Sequence, residues 1–203
     1  MIFAMLSAHS GGKMPKRDAY LFYEAGQAVA AAHLGLKIRH ISGNPARAAS
    51  EILIPRQGPK PRMILWLTGM AAEKKGVGKS DPLRRTRNRA RMRAQIESVM
   101  TTMSGPRSTR LDEARNLLNQ AQDRANAICA ALYEAIEILV ARLRANDLVS
   151  GDDVVAIVRM VKEKRALAGE PTFDEASSPE PPAPRKPAAP FLPPTPCQGP
   201  AGM

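Results

Sequence analysis

The segment from Leu111 to Ala145 constrains the fold most strongly, because no glycine or proline interrupts it. Apolar residues recur along it at alternating intervals of three and four, which places them on one side of a helix. The recurring positions are Leu111, Ala114, Leu118, Ala121, Ala125, Ile128, Leu132, Ala135 and Leu139. The pattern predicts one long helix that ends near Asn146 and packs along other helices. The same helix offers a surface for a homo-oligomer.

The composition favours a mainly α-helical protein. Hydrophobic residues make up 44% of the 203 residues, and aromatic residues only 4%. Alanine, leucine, methionine and isoleucine supply most of the apolar side chains, a mixture typical of helices packed on helices. The length suits one domain of ordinary size with a tail.

Three regions follow from local composition. We expect a flexible N-terminal arm over residues 1–15, a helical domain over 16–168, and a disordered proline-rich tail over 169–203. The tail has few large apolar residues, so it cannot form a core. It is either solvated or available for docking as a polyproline helix.

Turn and capping residues divide the helical domain further. The segments 36–45 and 50–59 are short, β-branched and bounded by Gly, Asn and Pro, which predicts a small hairpin or two edge strands. The remaining segments share helix start and stop signals. They are a helix from Arg17 to Leu34, one from Pro61 to Gly76, one capped by Ser80 that runs to about Met103, and one from Ser150, with a capping box to Asp153, to about Leu167.

The cysteines and the absence of a long apolar run favour a soluble cytoplasmic protein. Cys129 and Cys197 form no C-x-x-C pair or disulfide framework, which fits a reducing compartment. The apolar start at residues 1–8 is too short to span a membrane and lacks the basic beginning of a signal peptide.

Basic residues dominate the charge, and a dense run of arginines contributes much of it. The formal net charge is +11, which raises the expectation of nucleic acid or another acidic partner. The run comprises Arg84, Arg85, Arg87, Arg89, Arg91 and Arg93. On a helix it leaves only Leu83, Ala90, Ala94 and Thr86 to pack. It suits bidentate contacts to phosphates without base stacking, and a solvated or partner-facing basic surface is the alternative.

The pentad Tyr23-Glu24-Ala25-Gly26-Gln27 has the layout of a zinc-peptidase H-E-x-x-H helix with both histidines replaced. Residues four apart share a helix face. In zinc peptidases the two histidines on that face bind Zn²⁺, and the glutamate activates the metal-bound water.

Further segments extend this likeness in the same order along the chain. The sequence "KRDAYLFYEAGQAVAAAHLG" resembles the active-site helix of the FtsH-type ATP-dependent zinc metallopeptidases, and "IRHISGNP" is similar to the strand that follows it. The segments "LTGMAAEKKGVG", "SDPLRRTRNRARM" and "LVSGDDVVAIV" resemble later parts of that peptidase domain. The likeness covers about residues 16–160 and implies an FtsH-peptidase-like helical fold.

The resemblance implies a role for each matching position. Glu24 matches the general base and Asp81 matches the third zinc ligand, whereas Tyr23 and Gln27 stand at the two histidine positions. A neutral amide is a poor zinc donor, and a tyrosine binds metal only as phenolate. We therefore expect no cofactor, with zinc present only if the family's activity is retained.

Neither the three histidines nor a nucleotide-binding motif compensates for the replaced zinc ligands. His33 is rotated roughly 120° from Gln27 on a continuous helix, His40 falls in the predicted hairpin, and His9 falls in the N-terminal arm. The segment "GVGKS" imitates the end of a phosphate-binding loop, but Glu73 stands where that loop needs glycine. The family's ATPase module and membrane anchor are not expected in this chain.

Three functions are compatible with these observations. The leading hypothesis is a non-catalytic relative of the FtsH-type peptidases that acts by binding a protein partner or substrate. The second is an active, ATP-independent metallopeptidase with altered metal ligands. The third is an arginine-rich protein that binds nucleic acid without sequence specificity.

Overall fold

A computed structural model describes residues 16–44, 46, 49–54 and 60–170 of the chain. The predicted N-terminal arm, and the proline-rich tail beyond residue 170, lie outside these residues. The described part is mainly helical, as predicted, with a small antiparallel sheet. The helices are α1 (Lys16–His33), α2 (Lys60–Val77), α3 (Pro82–Thr102), α4 (Arg107–Ala131), α5 (Tyr133–Ala145) and α6 (Gly151–Leu167), and the strands are β1 (Lys37–Ser42), β2 (Glu51–Leu53) and β3 (Leu148–Ser150).

Helix α1 lies at the centre and packs most extensively against α2. Two glycines allow the close approach. A Cβ on Gly26 would lie 2.6 Å from the Ala72 Cβ, and a Cβ on Gly69 would lie 2.9 Å from the Tyr23 carbonyl oxygen. Real Cβ atoms do not tolerate such contacts, so both positions need glycine for the helices to cross at this distance. The crossing fixes the position of the Tyr23–Gln27 pentad.

The prediction of one long helix over Leu111–Ala145 is wrong, because the chain bends at Leu132. The φ and ψ angles there are −114° and 24°, which separates α4 from α5. Helix α4 packs on α2, whereas α5 packs on α1 and α6. With this bend, one apolar stripe packs against different helices before and after Leu132. Ile128, Leu132 and Ala135, at and on either side of the bend, are all buried. Neither glycine nor proline marks the bend, so the sequence pattern could not reveal it.

The hairpin prediction is confirmed, and the sheet contains one further strand. Strand β1 pairs antiparallel with β2 on one side and with β3 on the other. Strand β3 was missed because its three residues lead directly into a helix cap. Ser150 ends β3 and caps α6, where its hydroxyl accepts a hydrogen bond from the Asp153 N–H over 3.2 Å, as predicted.

The start of α3 differs from the prediction. Asp81, and not Ser80, is the N-cap, and its Oδ1 accepts from the Leu83 N–H over 3.2 Å. Pro82 occupies the first helical position, where its missing N–H costs nothing.

The packing face of α3 also differs from the prediction. Thr86, Ala90 and Ala94 are exposed, and Leu83 is 79% exposed. The helix instead turns Asn88 inward, fully buried, because a side chain of α1 supplies it with a hydrogen bond. The positions of the apolar residues along α3 therefore did not identify the side of the helix that packs against the rest of the protein.

No helix within the described ranges combines the length and the apolar character needed to cross a membrane.

Candidate functional site

The pentad of α1 lines a pocket of about 320 Å³. Tyr23, Glu24 and Gln27 all reach it, as their helical spacing predicts. The remaining lining comes from α1, from the region of β2, from α2 and from α3. The lining residues are Tyr20, Tyr23, Glu24, Gln27, Ala49, Ser50, Ile52, Ile54, Leu65 and Arg91.

Tyr23, which the resemblance places at the first histidine position, is engaged in a buried hydrogen bond. Its hydroxyl donates to Asn88 Oδ1 over 3.1 Å, and only 5% of the residue is exposed. The Arg84 guanidinium lies 4.9 Å from the centre of the phenol ring. Burial raises the pKa of Tyr23 above its ordinary value, an effect larger than the opposing ones of Asn88 and the nearby arginines. The phenol is therefore neutral at physiological pH and cannot act as a phenolate ligand.

Glu24 keeps its carboxyl group in the partly enclosed pocket. Burial raises the pKa of Glu24, while a hydrogen bond from Ser50 and the positive charges of Arg84 and Arg91 act in the opposite direction. A carboxyl with increased proton affinity can accept a proton from a ligand or donate one to it.

Gln27, which the resemblance places at the second histidine position, contributes a neutral amide. Its Cγ lies close to α2, 3.0 Å from where a Cβ on Gly69 would stand. The side chain can offer both a hydrogen-bond donor and an acceptor to a ligand, but it is a poor donor to zinc.

Asp81 does not join the pocket lining found among the described residues. Its carboxylate caps α3, and its Oδ2 lies 3.9 Å from the Arg84 Nη2. The residues present therefore do not fit a catalytic zinc, since a neutral phenol bound to Asn88 and a neutral amide stand where a zinc-peptidase helix carries two imidazoles. In the described ranges no cluster of three or more His, Cys, Asp or Glu is placed to hold a metal ion.

A buried ion pair beside the site was not predicted from the sequence. Glu73 is fully buried, and its Oε1 accepts from the Arg84 Nη1 and from the Asp81 N–H, each over 2.8 Å. Arg84 also donates to the Ala19 carbonyl oxygen over 3.0 Å and thereby joins α1, α2 and α3. Burial raises the pKa of Glu73, and these two donors offset part of that effect. In the sequence, the glutamate within "AAEKKGVG" was the residue that could have indicated this ion pair.

This ion pair corrects the interpretation of the arginine run. Arg84 is only 16% exposed at its side chain, so it is a structural residue and not part of a surface patch. The other five arginines are exposed. Arg85, Arg89 and Arg93 share one side of α3, which we call the arginine face, whereas Arg87 and Arg91 lie about 180° around the helix from it. Arg91 reaches the pocket, and its guanidinium lies 5.9 Å from the Trp66 ring centre.

The histidines and the "GVGKS" segment stay separate from the pocket lining described above. His33 ends α1, and His40 in β1 places its Nε2 2.9 Å from the Ala49 carbonyl oxygen. His9 lies outside the described residues. Helix α2 precedes Gly78, whereas a phosphate-binding loop follows a strand.

Comparisons of the sequence with protein-family models and with curated proteins found no match.

Proposed function

We propose that this protein is a non-catalytic relative of the FtsH-type zinc metallopeptidases, and that it binds a protein partner or substrate segment through the pocket around Glu24. The support comes from the residues at the metal-ligand positions together with the shape and chemistry of the pocket.

The hydrogen bond between Tyr23 and Asn88 carries the non-catalytic part of this proposal. A phenol whose proton is donated to a buried amide must lose both that proton and that partner to bind a metal ion. Because Asn88 is fully buried, its oxygen would then have no replacement from solvent. The position that binds metal in a zinc peptidase thus connects α1 to α3 in this protein.

The mixed lining of the pocket supports the binding part. Ile52, Ile54 and Leu65 supply apolar surface, while Glu24 and Gln27 supply hydrogen-bonding groups. A concave site with apolar walls and a few convergent polar groups is the usual form of a binding pocket. An unfolded polypeptide can place an apolar side chain in such a site and hydrogen-bond beside it.

Fluorescence anisotropy of labelled, unfolded casein tests the binding. Ala49→Trp fills the pocket mouth from an exposed position, whereas Ala46→Trp adds the same side chain at a nearby exposed position that does not line the pocket. We expect casein binding by the unaltered chain and by Ala46→Trp, and at least tenfold weaker binding by Ala49→Trp. Equal affinities for the two variants, or no binding by the unaltered chain, would refute binding at the pocket.

The retained carboxyl of Glu24 is the observation that favours the competing function, an active metallopeptidase with altered ligands. A raised pKa is what a general base in a peptidase needs. That function also requires a bound metal and cleavage of the peptide, so metal content and proteolysis distinguish the two.

A further inference from the structure

The arginine face has no anionic partner within the described part of the chain. None of its three guanidinium groups forms an ion pair there, although Arg84 on the same helix does. Only Asn88 and Val99 of α3 are buried, so most of this helix faces solvent. Arg85, Arg89 and Arg93 follow one another at intervals of four residues, which makes a stripe with steps of about 6 Å along the helix.

The positive charge of the protein is concentrated around this helix. Residues 73–94 contain nine lysines and arginines and two acidic residues, Glu73 and Asp81, a net charge of +7 (nine minus two) out of +11 for the whole chain. The exposed lysines Lys74, Lys75 and Lys79 lie at the end of α2 and in the turn before α3. Such segregation creates a strong local potential that attracts polyanions.

The Glu73–Arg84 ion pair fixes α3 against the neighbouring helices. It connects the end of α2 to the first turn of α3, while the hydrogen bond from Arg84 to the Ala19 carbonyl oxygen fixes both to α1. The first turn of α3, and with it the position of the arginine face, is therefore fixed against the rest of the fold.

We propose that the arginine face binds the phosphate backbone of duplex nucleic acid without sequence specificity. Guanidinium groups bind phosphate oxygens in a bidentate manner. A duplex carries one phosphate charge per about 1.7 Å of its axis, so each arginine of the stripe finds a phosphate within reach. This inference is independent of the proposed peptide-binding pocket.

The residues between the arginines favour nucleic acid over other anionic partners. Thr86, Ala90 and Ala94 are exposed between them, and the one large exposed apolar residue of α3 is Leu83 at its start. Helices that lie on a membrane surface and the centres of protein interfaces commonly carry apolar or aromatic anchors beside the charges, which this side of α3 has in small number. No aromatic residue interleaves the run, so stacking on unpaired bases is not expected.

Anisotropy titrations of the full chain with a labelled 20-base-pair DNA duplex, at several salt concentrations from 50 to 200 mM, test the proposal. The test variant is the triple Arg85→Gln, Arg89→Gln, Arg93→Gln. The control removes three exposed arginines from other helices, through Arg107→Gln, Arg115→Gln and Arg159→Gln, and makes the same change in net charge. Circular dichroism establishes that both variants fold.

We expect the stripe variant to bind the duplex at least tenfold more weakly at 50 mM salt, while the control stays within about threefold of the unaltered chain. The slope of log affinity against log salt should become shallower by about 2 to 3 in the stripe variant, since each lost phosphate contact removes about 0.9. Three results would overturn the proposal: no binding at 50 mM salt, equal weakening of both variants, or tighter binding to anionic vesicles or polyglutamate than to the duplex.

Discussion

The Tyr23 hydroxyl donates to Asn88 Oδ1 over 3.1 Å, and the two residues are 5% and 0% exposed. The Asn88 Nδ2 is buried and has no hydrogen-bond partner in the described part of the chain. A buried amide satisfied on one side only depends strongly on the remaining bond.

Replacement of Tyr23 by phenylalanine should therefore destabilise the protein. Removing the donor leaves Asn88 Oδ1 unsatisfied, at a cost of about 1–3 kcal/mol in the free energy of unfolding. Adding Asn88→Leu to Tyr23→Phe replaces both polar partners and should recover most of that loss. Urea unfolding of the single and double variants measures the coupling. If the double variant loses as much free energy of unfolding as the two single variants lose together, the two side chains do not interact and the contact is contradicted.

The close crossing of α1 and α2 predicts a second effect. Gly26→Ala places a methyl group 2.6 Å from the Ala72 Cβ and should destabilise the protein by about 1–3 kcal/mol through overpacking. Ala72→Gly removes the opposing methyl group, so the double variant should be more stable than Gly26→Ala alone. Thermal unfolding followed by circular dichroism compares them. If the double variant is no more stable than Gly26→Ala alone, the steric clash involves atoms other than the Ala72 Cβ.

The Glu73–Arg84 ion pair predicts a third effect. Arg84→Ala leaves the buried carboxylate without its cation and should reduce the free energy of unfolding by about 3 kcal/mol, at the lower end for a buried pair because Arg84 is 16% exposed at its side chain. Glu73→Gln, which removes the buried charge, should rescue much of this loss when combined with Arg84→Ala. Arg85→Ala on the exposed side of α3 is the matched control, and a loss as large as that of Arg84→Ala would disprove the assignment.

The partly buried carboxyl of Glu24 predicts how stability depends on pH. Because burial raises its pKa in the folded state, the folded protein holds this proton more tightly than the unfolded chain does. The contribution of Glu24 to stability is therefore complete below its ordinary pKa of 4.5 and declines as the pH rises through the folded-state value. Glu24→Gln removes this decline.

Melting temperatures at pH 4 and pH 7.5 test that dependence. Glu24→Gln should raise the melting temperature relative to the unaltered chain at pH 7.5 and change it much less at pH 4. Glu163→Gln on the exposed surface of α6 has the same change in charge and serves as control. An equal gain at both pH values in Glu24→Gln would rule out relief of a buried charge.

Local sequence signals predicted most of the helices and the hairpin, since capping residues and apolar spacing act over a few residues. Ser150, Gly35 and Pro82 behaved as expected at their helix ends. The bend at Leu132 and the inward turn of Asn88 could not be predicted in this way. Both depend on neighbours distant in sequence, α1 and α2 for the bend and Tyr23 for Asn88.

The candidate site was predictable only in part, for the same reason. Helical periodicity grouped Tyr23, Glu24 and Gln27 on one face, and the structure brings all three to one pocket. Asp81 was assigned by resemblance, but it caps α3 and does not line that pocket. Arg84 was grouped with its neighbours in the run, and only its contact with Glu73, eleven residues earlier, reveals its separate role.

Metal analysis of the purified protein, combined with casein cleavage, tests the central claim most directly. The protein is incubated with zinc, desalted and analysed by mass spectrometry for zinc per chain, and the same sample is assayed on labelled casein with Glu24→Gln as control. The account predicts well under one zinc per chain and no cleavage above that of Glu24→Gln. One zinc per chain, with cleavage that Glu24→Gln abolishes, would contradict it.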